Sequence, residues 1–177
     1  MKQIIAAIIA TIILFSCDSN QNITSFKIKN PYLTDKKITN ENVSISILPS
    51  KVNIVELNIN RWRNQLNLPP TNNINTELIK SPFESIGEYH LVHEINNNTN
   101  QAILGAIINH TDQTIFIKMN TSAILSYDRR YEFQLFCQSL YFDENNTLIW
   151  NTPKNWIEKD PIQHSIAYFK IKHSNDN

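Results

Sequence analysis

The stretch AILGAIINHTDQTIFIKM, residues 102–119, decides the fold. Ala102–Ile108 is apolar on both alternating faces, as a strand is when it lies in the middle of a sheet covered on each side. Thr114–Met119 reads as a further strand, and the few polar residues between the two leave no room for a crossover, so the pair should run antiparallel. Gly105, inside the first strand, marks a place where another backbone or a packed side chain comes close.

The same reading extends in both directions. Val43, Ile45 and Ile47 alternate with Ser44 and Ser46 in the period of a half-buried strand, which Pro49 closes. Val55, Ile59, Trp62 and Leu66 follow at spacings of four, three and four, one face of a helix that Leu68-Pro69-Pro70 terminates. Thr76–Lys80 is expected to add a short helical turn before Pro82. From Ser85 to Ile95 alternation returns, with Tyr89, Leu91, His93 and Ile95 on one side and Glu88, His90 and Glu94 on the other. After the decisive pair, Asn120 or Thr121 is expected to cap a second helix. That helix should turn Ile124, Tyr131, Leu135 and Phe136 inward, end near Leu140, and carry Asp128-Arg129-Arg130 on a solvated face. Ser165–Lys172 reads as a final strand. With only 2 glycines in the chain, left-handed turn positions should fall to asparagine, at Asn72-Asn73, Asn96-Asn97-Asn98 and Asn145-Asn146. The sum is an α+β fold: a mostly antiparallel sheet packed with two main amphipathic helices, in one domain spanning residues 23–177 with a Trp-rich strand segment at its C-terminal end.

Residues 1–16 have the pattern of an export signal. Lys2 precedes an apolar run from Ile4 to Phe15, shorter than the roughly 20 residues of a membrane span. The run ends in Leu14-Phe15-Ser16-Cys17, which resembles the bacterial lipobox, with Phe15 departing from the usual small or β-branched residue. The resemblance implies cleavage before Cys17, a diacylglyceryl thioether on its sulfur and a further acyl chain of the palmitate class on the new amine. Two or more chains, at about 0.8 kcal/mol per buried methylene, hold a protein on a bilayer. Residues 17–22 then form a polar tether. The expected location is the cell membrane or outer membrane, facing periplasm or exterior, with the membrane itself and an envelope protein as partners.

Composition narrows the chemistry. With 16 basic and 16 acidic residues the net charge is +0, which removes the electrostatic case for nucleic acid. Lipidation of Cys17 would leave Cys137 alone, in an apolar helical stretch where a small buried hydrophobe is the natural reading. Neither glycine sits in a phosphate-cradling run, and no G-x-S-x-G elbow is present. His90 and His93 are three apart on a strand and so point to opposite sides, which excludes joint chelation. No catalytic residue, metal site or cofactor is expected.

Asn58-Ile59-Asn60-Arg61-Trp62-Arg63-Asn64-Gln65-Leu66 with Leu68-Pro69-Pro70 resembles the NVNRWRGQLGLPP signature of a family of exported proteins common in planctomycete-like bacteria. Ser44–Pro49, Ile103–Ile107, the TIFIKM strand and Phe136–Phe142 agree in order, so the resemblance covers most of the mature chain. It implies a layout similar to the Mog1/PsbP-like sandwiches and no particular activity. The family's lead-in, W-x-x-P-x-x-W and a strand, matches Trp150–Trp156 and IAYFKIK at Ile166–Lys172, yet here these stand at the C-terminal end. ITSFKIK at Ile23–Lys29 occupies the usual place, so two similar segments compete for one strand position; the final strand is expected at the sheet edge beside ITSFKIK or near Ser44–Pro49.

Asn60, Arg61 and Arg63 are the candidate binding residues: the arginines could take an anion, or pair with acidic neighbours and orient the helix. Trp150 and Trp156 could stack on a sugar ring, or plug one end of the sandwich. These features give an expectation of a non-enzymatic binding or scaffolding lipoprotein, with an envelope hydrolase or a carbohydrate-binding module as alternatives.

Overall fold

A computed structural model describes residues 41–49 and 55–173. Cys17, the tether and ITSFKIK lie outside the described residues. Nine strands and two helices are assigned: β1 (Asn42–Pro49), α1 (Val55–Gln65), β2 (Thr76–Lys80), β3 (Glu88–Asn96), β4 (Gln101–His110), β5 (Gln113–Thr121), α2 (Ala123–Gln138), β6 (Tyr141–Phe142), β7 (Leu148–Ile149), β8 (Trp156–Lys159) and β9 (Ser165–Ile171). Seven strands form one sheet in the order β2-β3-β4-β5-β1-β9-β8, every pairing antiparallel, and β6 and β7 form a separate small ribbon. This is the expected α+β domain.

The two faces of the sheet are built differently. On one, Val43, Ile45, Leu91, Leu104, Ile117 and Phe169 join Phe133, Phe136 and Cys137 of α2 in the larger core. On the other, Val92, Ile103, Ile107 and Phe116 receive Ile59, Trp62 and Leu66 of α1 in a smaller one. The register shows why the second core is small. From β3 across to β9, one row on this face reads Val92, Gly105, Lys118, Ser44 and Tyr168. It starts apolar and turns polar, so a single helix seals only the β3–β4 side.

Gly105 is the close approach expected of it. A Cβ there would lie 2.1 Å from Cζ3 of Trp62, far inside van der Waals contact, so the indole lies flat on bare backbone. The end of α1 is fixed as firmly. Asn67 adopts φ +56°, with its N–H bonded to the Asn64 carbonyl and the Leu68 N–H to the Arg63 carbonyl at 2.9 Å, a Schellman turn. The resembling signature has glycine at this left-handed position. Of the asparagines expected at left-handed turn positions only Asn146 takes positive φ; Asn100, Thr111 and Gln163 take it outside those stretches, so the replacement of glycine by asparagine is partial.

Four expectations need correction. Thr76–Lys80 is not a helical turn but edge strand β2: five residues are too few to sustain a helix, whereas β3 offers them a full ladder. The cap of α2 is Ser122, whose Oγ accepts from the Leu125 N–H at 3.2 Å, because β5 continues through Asn120 and Thr121. The inward face of α2 is Ala123, Ser126, Phe133, Phe136 and Cys137, while Ile124, Tyr131 and Leu135 are exposed. Apolar residues occupy both sides of this helix, and the deciding position, Ser126, looks polar yet is buried because its hydroxyl bonds the Ala123 carbonyl at 2.8 Å. Finally, Asp128-Arg129-Arg130 is not all solvated face: Arg129 turns inward to Glu41.

The final strand, β9, does pair beside β1, but not at the sheet edge, since β8 covers its outer side. A register shift between Ile45 and Ser46 bends β1 at this junction.

Candidate functional site

The NRWR segment divides its labour by helical direction. Asn60 clamps the loop after the two prolines, its Nδ2 donating to the Thr71 carbonyl at 3.0 Å and its Oδ1 accepting from the Thr71 N–H at 2.8 Å. Trp62 packs on Gly105 and meets Phe116 edge to face, ring centroids 6.5 Å apart. Arg63 donates to the Pro69 carbonyl at 2.9 Å and to Glu94 at 2.5 Å, both partners of the ion pair being half-buried. Asn60 and Arg63 therefore hold α1 and its following loop in place. Arg61 does none of this. It is exposed, lies with Cζ 5.8 Å from the Phe116 ring centre, and has no carboxylate partner among the described residues.

Beside Arg61 the half of the sheet that no described element covers opens as a cleft of about 290 Å³, at the small end of ligand-site volumes. Its floor is the polar face of β1 and β5, with Ser44, Ser46, Lys118 and Asn120; Trp62 and Phe116 form the apolar wall. The turn Ile162–Ser165 makes the rim, with Gln163 held at φ +48° and the Ser165 hydroxyl donating to the Ile162 carbonyl at 2.6 Å. Lys118 Nζ donates to Oε1 of Gln65 at 3.1 Å, so α1 supplies both the second cation and the group that steers the first. Burial, and then the neighbouring Arg61 charge, hold the Lys118 ammonium below its usual pKa. No aspartate or glutamate lines the cleft among the described residues.

A second polar cluster serves the framework. Glu41, 2% exposed, receives Nε and Nη2 of Arg129 at 3.1 and 2.9 Å and the hydroxyl of Thr121, with His173 Nε2 at 3.4 Å. It ties the start of β1 to α2, and hydrogen bonds from Arg129 raise that guanidinium further above its already high pKa against the opposing effect of burial. This carboxylate is saturated and is not part of the lining of the cleft.

His93 and Ser126 are the nearest approach to a nucleophile pair among the described residues, with Nε2 2.8 Å from Oγ. The single hydroxyl proton goes to the Ala123 carbonyl, so Ser126 accepts from His93, and the fully buried oxygen meets no solvent. Groups of His, Cys, Asp and Glu able to hold a metal ion do not occur among the described residues. Trp156 is buried against Phe136 and Phe169, and Trp150 stands edge-on to Phe169 at 6.4 Å, half-buried. The two indoles belong to the large core and offer no pair of exposed coplanar faces.

Neither a protein-family model, nor a curated protein, nor a solved structure matches this chain. The cleft therefore stands on its own geometry.

Of the sequence candidates, only Arg61 reaches it. Lys118, Gln65, Ser44 and Ser46 were missed. One signal was available: Lys118 is the single charge in the strand TIFIKM, and a charge there faces either solvent or a site.

Proposed function

We propose that the chain is a cell-envelope lipoprotein, anchored through acylated Cys17 in the cell membrane or outer membrane, whose domain binds a ligand without transforming it. The observation that carries the binding half is the cleft itself: two cations and two serine hydroxyls on a polar half-face, with no carboxylate among the described lining residues. Structural ion pairs elsewhere in the domain are matched, as Arg63 with Glu94 and Arg129 with Glu41. The unmatched pair is what a ligand would complete. The anchoring half rests on the Ile4–Phe15 run and Leu14-Phe15-Ser16-Cys17. Kinship with the exported family sharing the NRWR signature fits the separate structural tasks of Asn60, Trp62 and Arg63. Trp150 and Trp156, packed against the large core, lend nothing to sugar stacking, and the His93–Ser126 pair lends nothing to a hydrolase.

A thiol count tests the anchor. Cys137 is fully buried and burial pushes its thiol pKa up, so it is inert to disulfide reagents in the folded state. Protein isolated from bacterial membranes should therefore show no reactive thiol until denatured, and then one. It should incorporate labelled palmitate, and Cys17→Ala should abolish both labelling and membrane retention. A wild-type chain recovered free in the aqueous fraction, with a rapidly reacting thiol before denaturation, would overturn the anchored reading.

A further inference from the structure

The ligand of the cleft is readable from its charges, given that the cleft is the binding site proposed above. Lys118 is only partly exposed, and its one side-chain partner among the described residues is the neutral Gln65. Arg61 shares the same cleft, stacked toward Phe116. Two like charges brought together at a partly desolvated site oppose folding unless something neutralises them. The residues facing this side from β1, β5, β8 and β9 include no acid: Asn42, Ser44, Ser46 and Leu48; Thr114, Phe116, Lys118 and Asn120; Ile157 and Lys159; Ile166, Tyr168 and Lys170. The lysines at the outer strands extend the positive field toward the cleft. Among the described residues no counter-charge lines the cleft, which leaves it for a ligand to supply.

A carboxylate ligand would answer one cation and leave the other unmet. A phosphate monoester carries about −1.5 to −2 charges at neutral pH and three acceptor oxygens, enough for both cations and for hydroxyl donors besides. Ser44 and Ser46, on the same floor as Lys118, have hydroxyls with no hydrogen-bond partner among the described residues. The remaining wall is apolar, from Trp62 and Phe116, and suits a carbon skeleton attached to the phosphate. We infer that the cleft binds an organic phosphate monoester, with Arg61 and Lys118 meeting its charge, Ser44 and Ser46 donating to its oxygens, and Trp62 and Phe116 packing on its organic part. Such a group occurs on soluble metabolites and on the headgroup of a phosphatidic-acid-type lipid, and the chemistry at the cleft is the same for both.

Calorimetric titration of the full chain in non-ionic detergent, at neutral pH and low salt, tests this with four probes: phenyl phosphate, inorganic phosphate, dihexanoyl phosphatidic acid and benzoate. At least one organic phosphate should bind about tenfold or more tightly than both benzoate and inorganic phosphate. Arg61→Gln and Lys118→Met should each weaken that binding by about tenfold or more, whereas Arg130→Gln, which breaks an exposed pair with Glu77 and is not among the residues lining the cleft, should not. Lys118→Met should melt at the same temperature as wild type or higher, since it removes the like-charge neighbour of Arg61, so its lost affinity cannot be charged to unfolding. Tighter binding of the short-chain lipid assigns the source to a headgroup, and tighter binding of phenyl phosphate assigns it to a soluble ester. Binding unchanged in both variants, or no organic phosphate bound at about 10 mM, overturns the inference. Benzoate binding as tightly as the phosphates, and lost in Arg61→Gln, overturns the phosphate assignment while leaving the binding-protein reading intact. The thiol count and palmitate labelling report on the anchor independently of all of these.

Discussion

Gly105→Ala isolates the contact on which the site depends. In an ordinary exposed strand this change would help, because alanine loses less backbone freedom on folding than glycine, a gain of about 0.5–1 kcal/mol. Here the new methyl would lie 2.1, 2.6 and 2.8 Å from three atoms of the Trp62 ring, where ordinary contact begins near 3.4 Å. The ring must retreat by more than an ångström, yet Trp62 is 2% exposed and wedged against Phe116, and β4 is pinned between β3 and β5. Overpacking of this kind costs about 1–3 kcal/mol. Neither partner is a flexible chain end, so the expected loss is near the upper figure and outweighs the entropic gain. Urea unfolding followed by far-ultraviolet circular dichroism should show a lower midpoint with an unchanged slope. Trp62→Leu alone will also destabilise, but in the double variant the methyl finds room, so the two costs should fall short of adding by about 1–2 kcal/mol. Because α1 carries Arg61 and Gln65, Gly105→Ala should also weaken ligand binding at the cleft without touching a cleft residue. A midpoint equal to or above wild type, or strict additivity in the double variant, would refute the reasoning.

Other perturbations probe the supports of the site. Arg63→Ala should cost about 1–3 kcal/mol in denaturant unfolding, because it strands the half-buried Glu94 and frees the Pro69 carbonyl, and Glu94→Gln should recover part of the loss in the double variant. His93, half-buried, edge to face with Tyr127 and near the Arg130 charge, has its pKa lowered, first by burial and then by that charge. The unfolded chain therefore takes the proton first, so stability at this residue is full above the ordinary histidine pKa of about 6.5 and declines as pH falls toward the lowered native value; His93→Gln should flatten that part of a stability profile against pH. Tyr89, wholly buried, has a hydroxyl without a hydrogen-bond partner among the described residues and a pKa raised chiefly by burial. Tyr89→Phe should accordingly leave the unfolding midpoint unchanged or raise it, and a clear drop would reveal a partner for that hydroxyl.

How much of this was legible in the sequence depends on what each residue's neighbours require. Periodicity located β1, α1, β3, β4, β5 and β9, because a strand or helix with one buried face must repeat its apolar residues at the spacing of its own geometry. Gly105 was legible for a similar reason, since a glycine in a continuous apolar strand has few purposes other than admitting a close neighbour. The Thr76–Lys80 edge strand and the inward face of α2 were not, for each is chosen by its surroundings. β2 exists because β3 offers an open ladder, and Ser126 is inside because the carbonyl of Ala123 takes its proton.

The cleft was hidden by a subtler degeneracy. Ser44 and Ser46 alternate with Val43 and Ile45 as they would on any strand with one wet face, and sequence periodicity gives the same pattern for open solvent and for the floor of a cavity. What separates the two is long-range: β1 sits between β5 and β9, α1 reaches only as far as the β3–β5 side, and the Ile162–Ser165 turn rises on the other. The polar face is thereby walled on both sides, and no described residue roofs it. Likewise Arg61 and Arg63 are chemically identical and two residues apart, so nothing local assigns one to Glu94 and the other to the cleft. Two residues along a helix is a turn of roughly 200°, which is enough to send them to opposite sides of the Trp62 contact. The position of Trp62 on Gly105 thus sets the rotation of α1 and, through it, which arginine is structural and which is left to meet a ligand.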